Sequence, residues 1–121
     1  RPASTNDFQA IYALYQNEKW MSFTEEKVTS LFSTNLSHYL VLEEDQKILG
    51  FVRYLTDEVL TTFLAEIIID KSHRRKGLGQ QLIEEIHKKY PLTRIELISE
   101  ADGFYRAISF KPVGTGFRKS E

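Results

Sequence analysis

The chain has 121 residues and no cysteine. That excludes disulfides, thiolate-held metals and a cysteine nucleophile, and it fits a cytoplasmic protein. Long apolar runs are missing too. None approaches the length of a membrane span and no secretory signal is visible, so no membrane partner is expected. Net charge is nearly absent, at −1 from 16 basic and 17 acidic residues. Broad electrostatic binding of nucleic acid requires a large positive excess, so no nucleic-acid partner is expected. His38, His73 and His87 are scattered without metal-ligand spacing, so no metal site is expected. There is no internal repeat, low-complexity tract or linker.

What is present is an ordinary globular composition, 41% hydrophobic and 27% charged, long enough for one domain with its own core over residues 1–121. The positive charge that exists is local, in Arg74, Arg75 and Lys76. It sits inside the most informative stretch, Ile67 to Ile86. An apolar run (Ile67, Ile68, Ile69) ends at Asp70, a basic turn follows, and Gly77 and Gly79 precede a helical pattern. Leu78, Leu82, Ile86 and Tyr90 recur every fourth residue with Ile83 beside them, which predicts one apolar helix face. The segment therefore reads as strand, glycine-containing loop, helix. Unpaired N–H groups and partial positive charge at a helix start, approachable through glycine and flanked by cations, make an anion site for phosphate or pyrophosphate. No third glycine follows at Leu82, so the dinucleotide-binding pattern is not met. No Gly-Lys-Ser/Thr is present either, so this is not a Walker loop.

Along the chain, Asp7 is expected to cap a helix carrying Phe8, Ile11, Tyr12, Leu14 and Tyr15, and Thr24 to begin a second with Glu25 and Glu26 in its first turn. Trp20, Met21 and Phe23, between them, read as packing residues. A hairpin follows, with strands Tyr39–Glu43 and Lys47–Leu55 about an acidic turn. Gly50 marks a bend or a close approach by another backbone. After a polar break at Thr56–Glu58, Thr61–Asp70 is a long strand whose end is apolar on both faces, as at the centre of a sheet. Pro91 stops the helix from Gly77. Arg94–Ile98 is a further strand, Ser99 starts a short helix with Ala101, Phe104, Tyr105 and Ile108 on one face, and Phe110–Glu121 has room for one more short strand. The order predicts an α/β (α+β) domain, a mixed central sheet with helices on both faces.

Arg74-Arg75-Lys76-Gly77-Leu78-Gly79 fits R-x-x-G-x-G, which resembles the acetyl-CoA pyrophosphate loop of the GNAT superfamily of N-acetyltransferases. The resemblance covers nearly the whole chain, minus the family's first strand and its last. Arg1-Pro2-Ala3 with Asp7 is similar to the family's exit from its first strand. Lys47 to Val52 is similar to its I-V-G strand. Ile69 to Gly79 is similar to V-x-P-x-x-R-x-x-G-x-G, with Lys71 in place of proline. Phe104-Tyr105 with Phe110 is similar to F-Y-x-x-x-G-F, with Ser109 in place of glycine, a position where a left-handed terminus would strain a non-glycine residue.

The resemblance implies transfer of an acetyl group from acetyl-CoA to a primary amine of a small molecule or peptide. A non-catalytic acyl-CoA sensor is the alternative, and a homodimer is one assembly it allows. The pyrophosphate would lie on the loop and helix start, from Arg74 and Arg75 through Lys76, Gly77, Leu78 and Gly79 to Gln80. The pantetheine arm would run between the parallel strands as an added strand does. A backbone N–H among Ile67, Ile68 and Ile69 would polarise the thioester carbonyl. Tyr105 stands where the family's usual acid stands and would protonate the leaving sulfur; the bland alternative is a tyrosine packed on the sheet. Glu66, an acid within an apolar strand, is the candidate base, or else a strand-edge charge or the partner of a core polar group, with a water chain as the other route for the proton. Acceptor pockets would come from the loops at Trp20–Phe23 and Thr56–Thr61.

Overall fold

The computed structural model describes residues 1–120. Helices α1 (Phe8–Asn17) and α2 (Glu25–Ser33) come first, followed by β1 (His38–Glu44), β2 (Lys47–Thr56) and β3 (Thr61–Ile69). Helix α3 (Leu78–Lys89), β4 (Arg94–Leu97) and α4 (Asp102–Ala107) complete the order. The sheet runs β1-β2-β3-β4. β1, β2 and β3 are antiparallel neighbours, and β4 joins β3 in parallel. A parallel neighbour requires a crossover, and α3 supplies it. Arg1–Ala3 adds a short antiparallel edge outside β1, bridged at Pro2 and Leu40.

Alternation along the strands builds two cores. Tyr39, Val41, Phe51 and Ile68 face α1 and α2, where they meet Ile11, Leu14, Tyr15 and Val28. Leu40, Val52, Tyr54 and Leu64 face α3, where they meet Leu82, Ile83 and Ile86. Each of these aliphatic side chains contributes roughly 1.5–3 kcal/mol by leaving water. The mixed sheet with helices on both faces is the predicted architecture.

One irregularity decides the site. Arg53 pairs with Glu66 but Tyr54 pairs with Leu64, so Ala65 is an extra residue on β3. Such a bulge shifts the side-chain alternation by one. Leu64 faces α3, whereas Glu66 and Ile68 face α1 and α2.

Several local expectations change. Asp7 does not cap α1; its carboxylate takes two bonds from the Arg1 guanidinium, at 2.8 and 3.1 Å, and one from the Ser4 N–H. Thr24 does cap α2, accepting from the Lys27 N–H. Trp20 and Phe23 pack on the first core, with Phe23 stacked 4.3 Å from Tyr15, but Met21 is 84% exposed. Helix α4 starts at Asp102, later than expected, because Ser99 Oγ accepts from the Ala101 N–H in a local turn. The short strand expected in Phe110–Glu121 is not formed through Ser120, and Lys111–Ser120 is exposed throughout; Glu121 lies outside the described residues. Ser109 nevertheless takes the left-handed conformation, with φ 77°.

Candidate active site

The loop after β3 makes a single turn over Lys71–His73 and then reaches α3 through two left-handed residues, Arg75 (φ 65°) and Gly77 (φ 78°). Gly77 stands at the N-cap of α3 and brings no side chain to cap it. The first intrahelical bond is Gln81 N–H to the Gly77 carbonyl, so the Leu78, Gly79 and Gln80 N–H groups precede the helix's own ladder. A Cβ at Gly77 would meet no atom within 4 Å, so the chain is open to approach at that residue. Gly79 is small for another reason: a Cβ there would lie 3.1 Å from Phe104 Cζ, so α4 sits directly on the first turn of α3.

The three cations divide their work. Arg74 is tied into the fold, donating from Nε to the Ile69 carbonyl at 2.9 Å and from Nη2 to Glu18 at the end of α1 at 2.7 Å. It shapes the loop. Arg75 and Lys76 are exposed and make no hydrogen bond or ion pair among the described residues. His73 bonds Asp70 Oδ2 at 2.8 Å and helps fix the turn, and the Ser72 and His73 contacts hold the Asp70 carboxyl below its usual range.

Beside this loop the sheet opens. β3 and β4 are paired from Thr61–Arg94 to Leu64–Leu97 and no further, while β3 continues to Ile69. The Asp70 N–H is given to Leu49 on β2. Strand alternation therefore turns the Ile68 N–H toward β2 as well, and the Ile67 and Ile69 N–H groups toward the gap. Ile68 thus leaves the set of cofactor-facing groups: its side chain is 3% exposed in the core under α1.

Tyr105 belongs to the apolar cluster on the α3 face that includes Ile67, Ile69 and Leu97. Its ring lies edge-on to Phe104 and Phe110, with centroids 5.0 and 5.5 Å away. Burial raises its hydroxyl above the ordinary tyrosine value of 10.0. The hydroxyl makes no hydrogen bond among the described residues, so a half-buried donor stays available on the side of the gap where α3 begins.

Glu66 is on the opposite face and is paired. Arg53 donates to both of its oxygens at 2.6 Å, and the Tyr15 hydroxyl donates to Oε1 at 2.7 Å. Tyr15 also bonds the Tyr39 hydroxyl, and Arg53 reaches Ser37. Burial lifts Tyr39 to about 12 and Tyr15 further, so both stay protonated. Burial works against the Arg53 charge, but its bonds to Glu66 prevail and raise its pKa. Glu66 is therefore not a free carboxylate but one half of an ion pair with Arg53. Its carboxylate takes two bonds at Oε1 and one at Oε2, so it is the partner of a core polar group, as its alternative reading describes, with one acceptor position left at Oε2. Arg53 and Glu18 went unforeseen. For Arg53 the available signal was a second charge isolated in an apolar strand, which asks for a partner of opposite sign.

Two hollows lie away from this gap. One, of about 170 Å³, is bounded by Pro2, Leu31, Phe32 and His38. The other, of about 330 Å³, is bounded by Leu36, Leu55, Asp57 and Thr61 at the β2–β3 turn. Among the described residues no cluster of His, Asp or Glu could hold a metal ion, and no helix is long and apolar enough to cross a membrane.

A family model described as an acetyltransferase (GNAT) domain matches residues 35–112. No curated protein matches the chain in sequence. Among solved structures, a GNAT family acetyltransferase from Streptococcus pneumoniae is 20% identical, with a TM-score of 0.77 over 100% of this chain and 97% of that one. A ribosomal-protein-alanine N-acetyltransferase from Brucella melitensis biovar Abortus is 13% identical, with a TM-score of 0.82 over 100% and 98%. An aminoglycoside N-acetyltransferase solved with CoA is 13% identical, with a TM-score of 0.79 over 100% and 92%. At these identities the structures share the fold with this chain.

Proposed function

The chain belongs to the GNAT acetyltransferase family and is an acetyl-CoA-dependent N-acetyltransferase; from that premise we propose that its acceptor is a primary amine of a small molecule or peptide. The relatives in fold act on an aminoglycoside in one case and on a ribosomal protein's alanine in another, which supports an amine acceptor and leaves both sizes in play. Acetyl-CoA supplies an acetyl thioester. The chain's own residues bind it, orient it and move protons.

The observation that carries this reading is the parting of β3 from β4 after Leu64 and Leu97, immediately before the uncapped start of α3. The fit to the cofactor follows from donors and space. The Leu78, Gly79 and Gln80 N–H groups receive the pyrophosphate in front of Gly77, and Arg75 and Lys76 add charge. Arg74 holds the loop in shape. The Ile67 and Ile69 N–H groups pair with the pantetheine amide and the thioester carbonyl, as an added strand would. Tyr105 gives its hydroxyl proton to the departing sulfur. A tyrosine holds its proton at neutral pH, and, because its pKa lies above the thiol reference of about 8.5, the transfer takes place as the C–S bond breaks rather than to a thiolate already formed.

Calorimetric titration with CoA and an amine screen with acetyl-CoA test the reading. Tyr105→Phe keeps the shape of the ring and removes the proton. It should bind CoA as the parent does and lose about 100-fold or more in kcat, the range of a removed general acid. Unchanged kcat would remove Tyr105 from the chemistry. Failure of CoA to bind would remove the site itself.

A further inference from the structure

The end of α1 breaks two local preferences at adjacent residues. Lys19 is left-handed, with φ 60°, at the position after the helix where glycine is usual. Its N–H goes to the Gln16 carbonyl at 2.9 Å and the Trp20 N–H to the Tyr15 carbonyl at 3.4 Å, which closes the helix. Glu18, at the C-cap, sets a carboxylate against the partial negative charge of a helix C-terminus. Neither choice helps α1 itself. Local rules broken without local gain mark a place held for another purpose. Arg74 is the other end of it: its Nη2 donates to Glu18 Oε2 at 2.7 Å across 56 positions.

That bond reaches the loop where the loop is least restrained. Its start is fixed by the contacts of Asp70 with Ser72 and His73, and its end by the first turn of α3. Between them Arg75 and Lys76 make no backbone hydrogen bond among the described residues, and Arg75 is itself left-handed. The Arg74 side chain is the tether there, with Nε on the Ile69 carbonyl and Nη2 on Glu18. Without Glu18 the guanidinium keeps one anchor and is free to turn about it, carrying the backbone from Arg74 to Gly77 with it. Glu18 itself is set by the first core rather than by the loop. The chain that follows it runs through Trp20 and Phe23, and both rings pack on Tyr15.

We propose that Glu18 is a positioning residue for the cofactor's diphosphate: through Arg74 it holds the loop so that the Leu78, Gly79 and Gln80 N–H groups converge on one anion. This rests on the reading of the loop given above. The proposal fixes the sign of an effect. Glu18 is an anion bonded to a residue of an anion-binding loop. By charge alone, removing it should tighten the hold on a diphosphate, by Coulomb attraction and by releasing Arg74 to pair with the phosphates. Positioning demands the opposite, weaker binding. The effect is also confined to ligands that carry the diphosphate, because the pantetheine arm lies in the β3–β4 gap and not on the loop.

The test compares the parent, Glu18→Gln, Glu18→Ala, Arg74→Met and the double variant of the last two. Calorimetry gives the affinity for CoA. Thiol release with an amine that the parent acetylates compares acetyl-CoA with S-acetylpantetheine, which lacks the diphosphate. Glu18→Ala should bind CoA about tenfold more weakly, the scale of one charge-assisted hydrogen bond. It should raise KM for acetyl-CoA by the same factor at unchanged kcat and leave kcat/KM for S-acetylpantetheine within about twofold of the parent. Glu18→Gln keeps an oxygen for Arg74 and should recover most of the loss. Arg74→Met should lose at least as much as Glu18→Ala, and adding Glu18→Ala to it should cost nothing further. CoA affinity unchanged or raised in Glu18→Ala, or raised in Glu18→Gln, overturns the proposal, as do additive losses in the double variant. An equal loss with S-acetylpantetheine makes Glu18 a support of the fold at large and overturns it too. A parent that binds CoA no better than pantetheine overturns the diphosphate reading of the loop instead.

Discussion

Arg53→Met should be among the most damaging substitutions outside the hydrophobic core. Arg53 and Glu66 are 15% and 10% exposed at their side chains and share two bonds of 2.6 Å. The replacement keeps the aliphatic volume but leaves Glu66 with the Tyr15 hydroxyl as its remaining donor. Removing one partner of a buried pair costs about 3–5 kcal/mol, because a charge stays behind without compensation. Against a total stability of roughly 5–15 kcal/mol for a domain of this kind, that is a fifth or more of the reserve. With a urea slope of roughly 1–3 kcal/mol/M, the unfolding midpoint should fall by about 2 M. Adding Glu66→Leu to Arg53→Met removes the stranded charge and should restore most of the loss, since well-packed apolar replacements of whole pairs are often neutral. Urea titrations of the parent, both single variants and the double variant complete the cycle. A cost below about 1 kcal/mol for Arg53→Met, with no recovery in the double variant, would show that the pair is solvated and would free Glu66 for proton transfer.

Two further outcomes test the loops. Ser109→Gly relieves a left-handed residue at φ 77° and should raise stability by about 0.5–1 kcal/mol, read as a Tm increase of a few degrees; a decrease would mean the hydroxyl makes a contact worth more than the strain. The Asp57 carboxyl is held at about 2 by the Leu60, Thr61 and Val59 N–H groups. Its folded-state pKa lies below the unfolded value, so its contribution is present above about pH 4 and lost as pH falls toward 2. The stability gap between the parent and Asp57→Ala should close over that window, and a gap constant from pH 6 to pH 2 would contradict it.

Much of this fold is legible because its elements are locally consistent. The four-residue recurrence from Leu78 to Tyr90 places α3, the alternation through β1 and β2 places their two faces, and Thr24 with Glu25 and Glu26 marks the start of α2. The hairpin turn was harder. Asp45 and Gln46 both take positive φ, 51° and 65°, which is the twist-matched two-residue turn without the usual Asn-Gly or Asp-Gly pair. The site was half legible. The glycines and cations of the loop announce an anion site, but nothing in Arg74-Arg75-Lys76 says which cation is spent on the fold. That depends on Glu18, 56 positions away. Glu66 stood out as an acid in an apolar strand, and its partner Arg53 stood out less, because a register between strands is a tertiary fact.

The least legible feature, the extra residue at Ala65, links the others. Were the strand regular through Ala65, Leu64 and Glu66, two residues apart, would share a face, and the carboxylate would be driven into the apolar layer beneath α3 among Leu82, Ile83 and Ile86. With the bulge, Glu66 turns to Arg53 and Tyr15, and the α3 side of β3 is left to Ile67 and Ile69. The same place along β3 is where pairing with β4 stops. A bulge bends and over-twists its strand, which carries the end of β3 away from a short β4 and leaves two N–H groups facing a gap instead of a neighbour. An ion pair on one face and an open backbone edge beside it thus follow from one inserted alanine. Glu66, conspicuous in the sequence as a reactive acid, is by this geometry the group that holds the bulged strand in register.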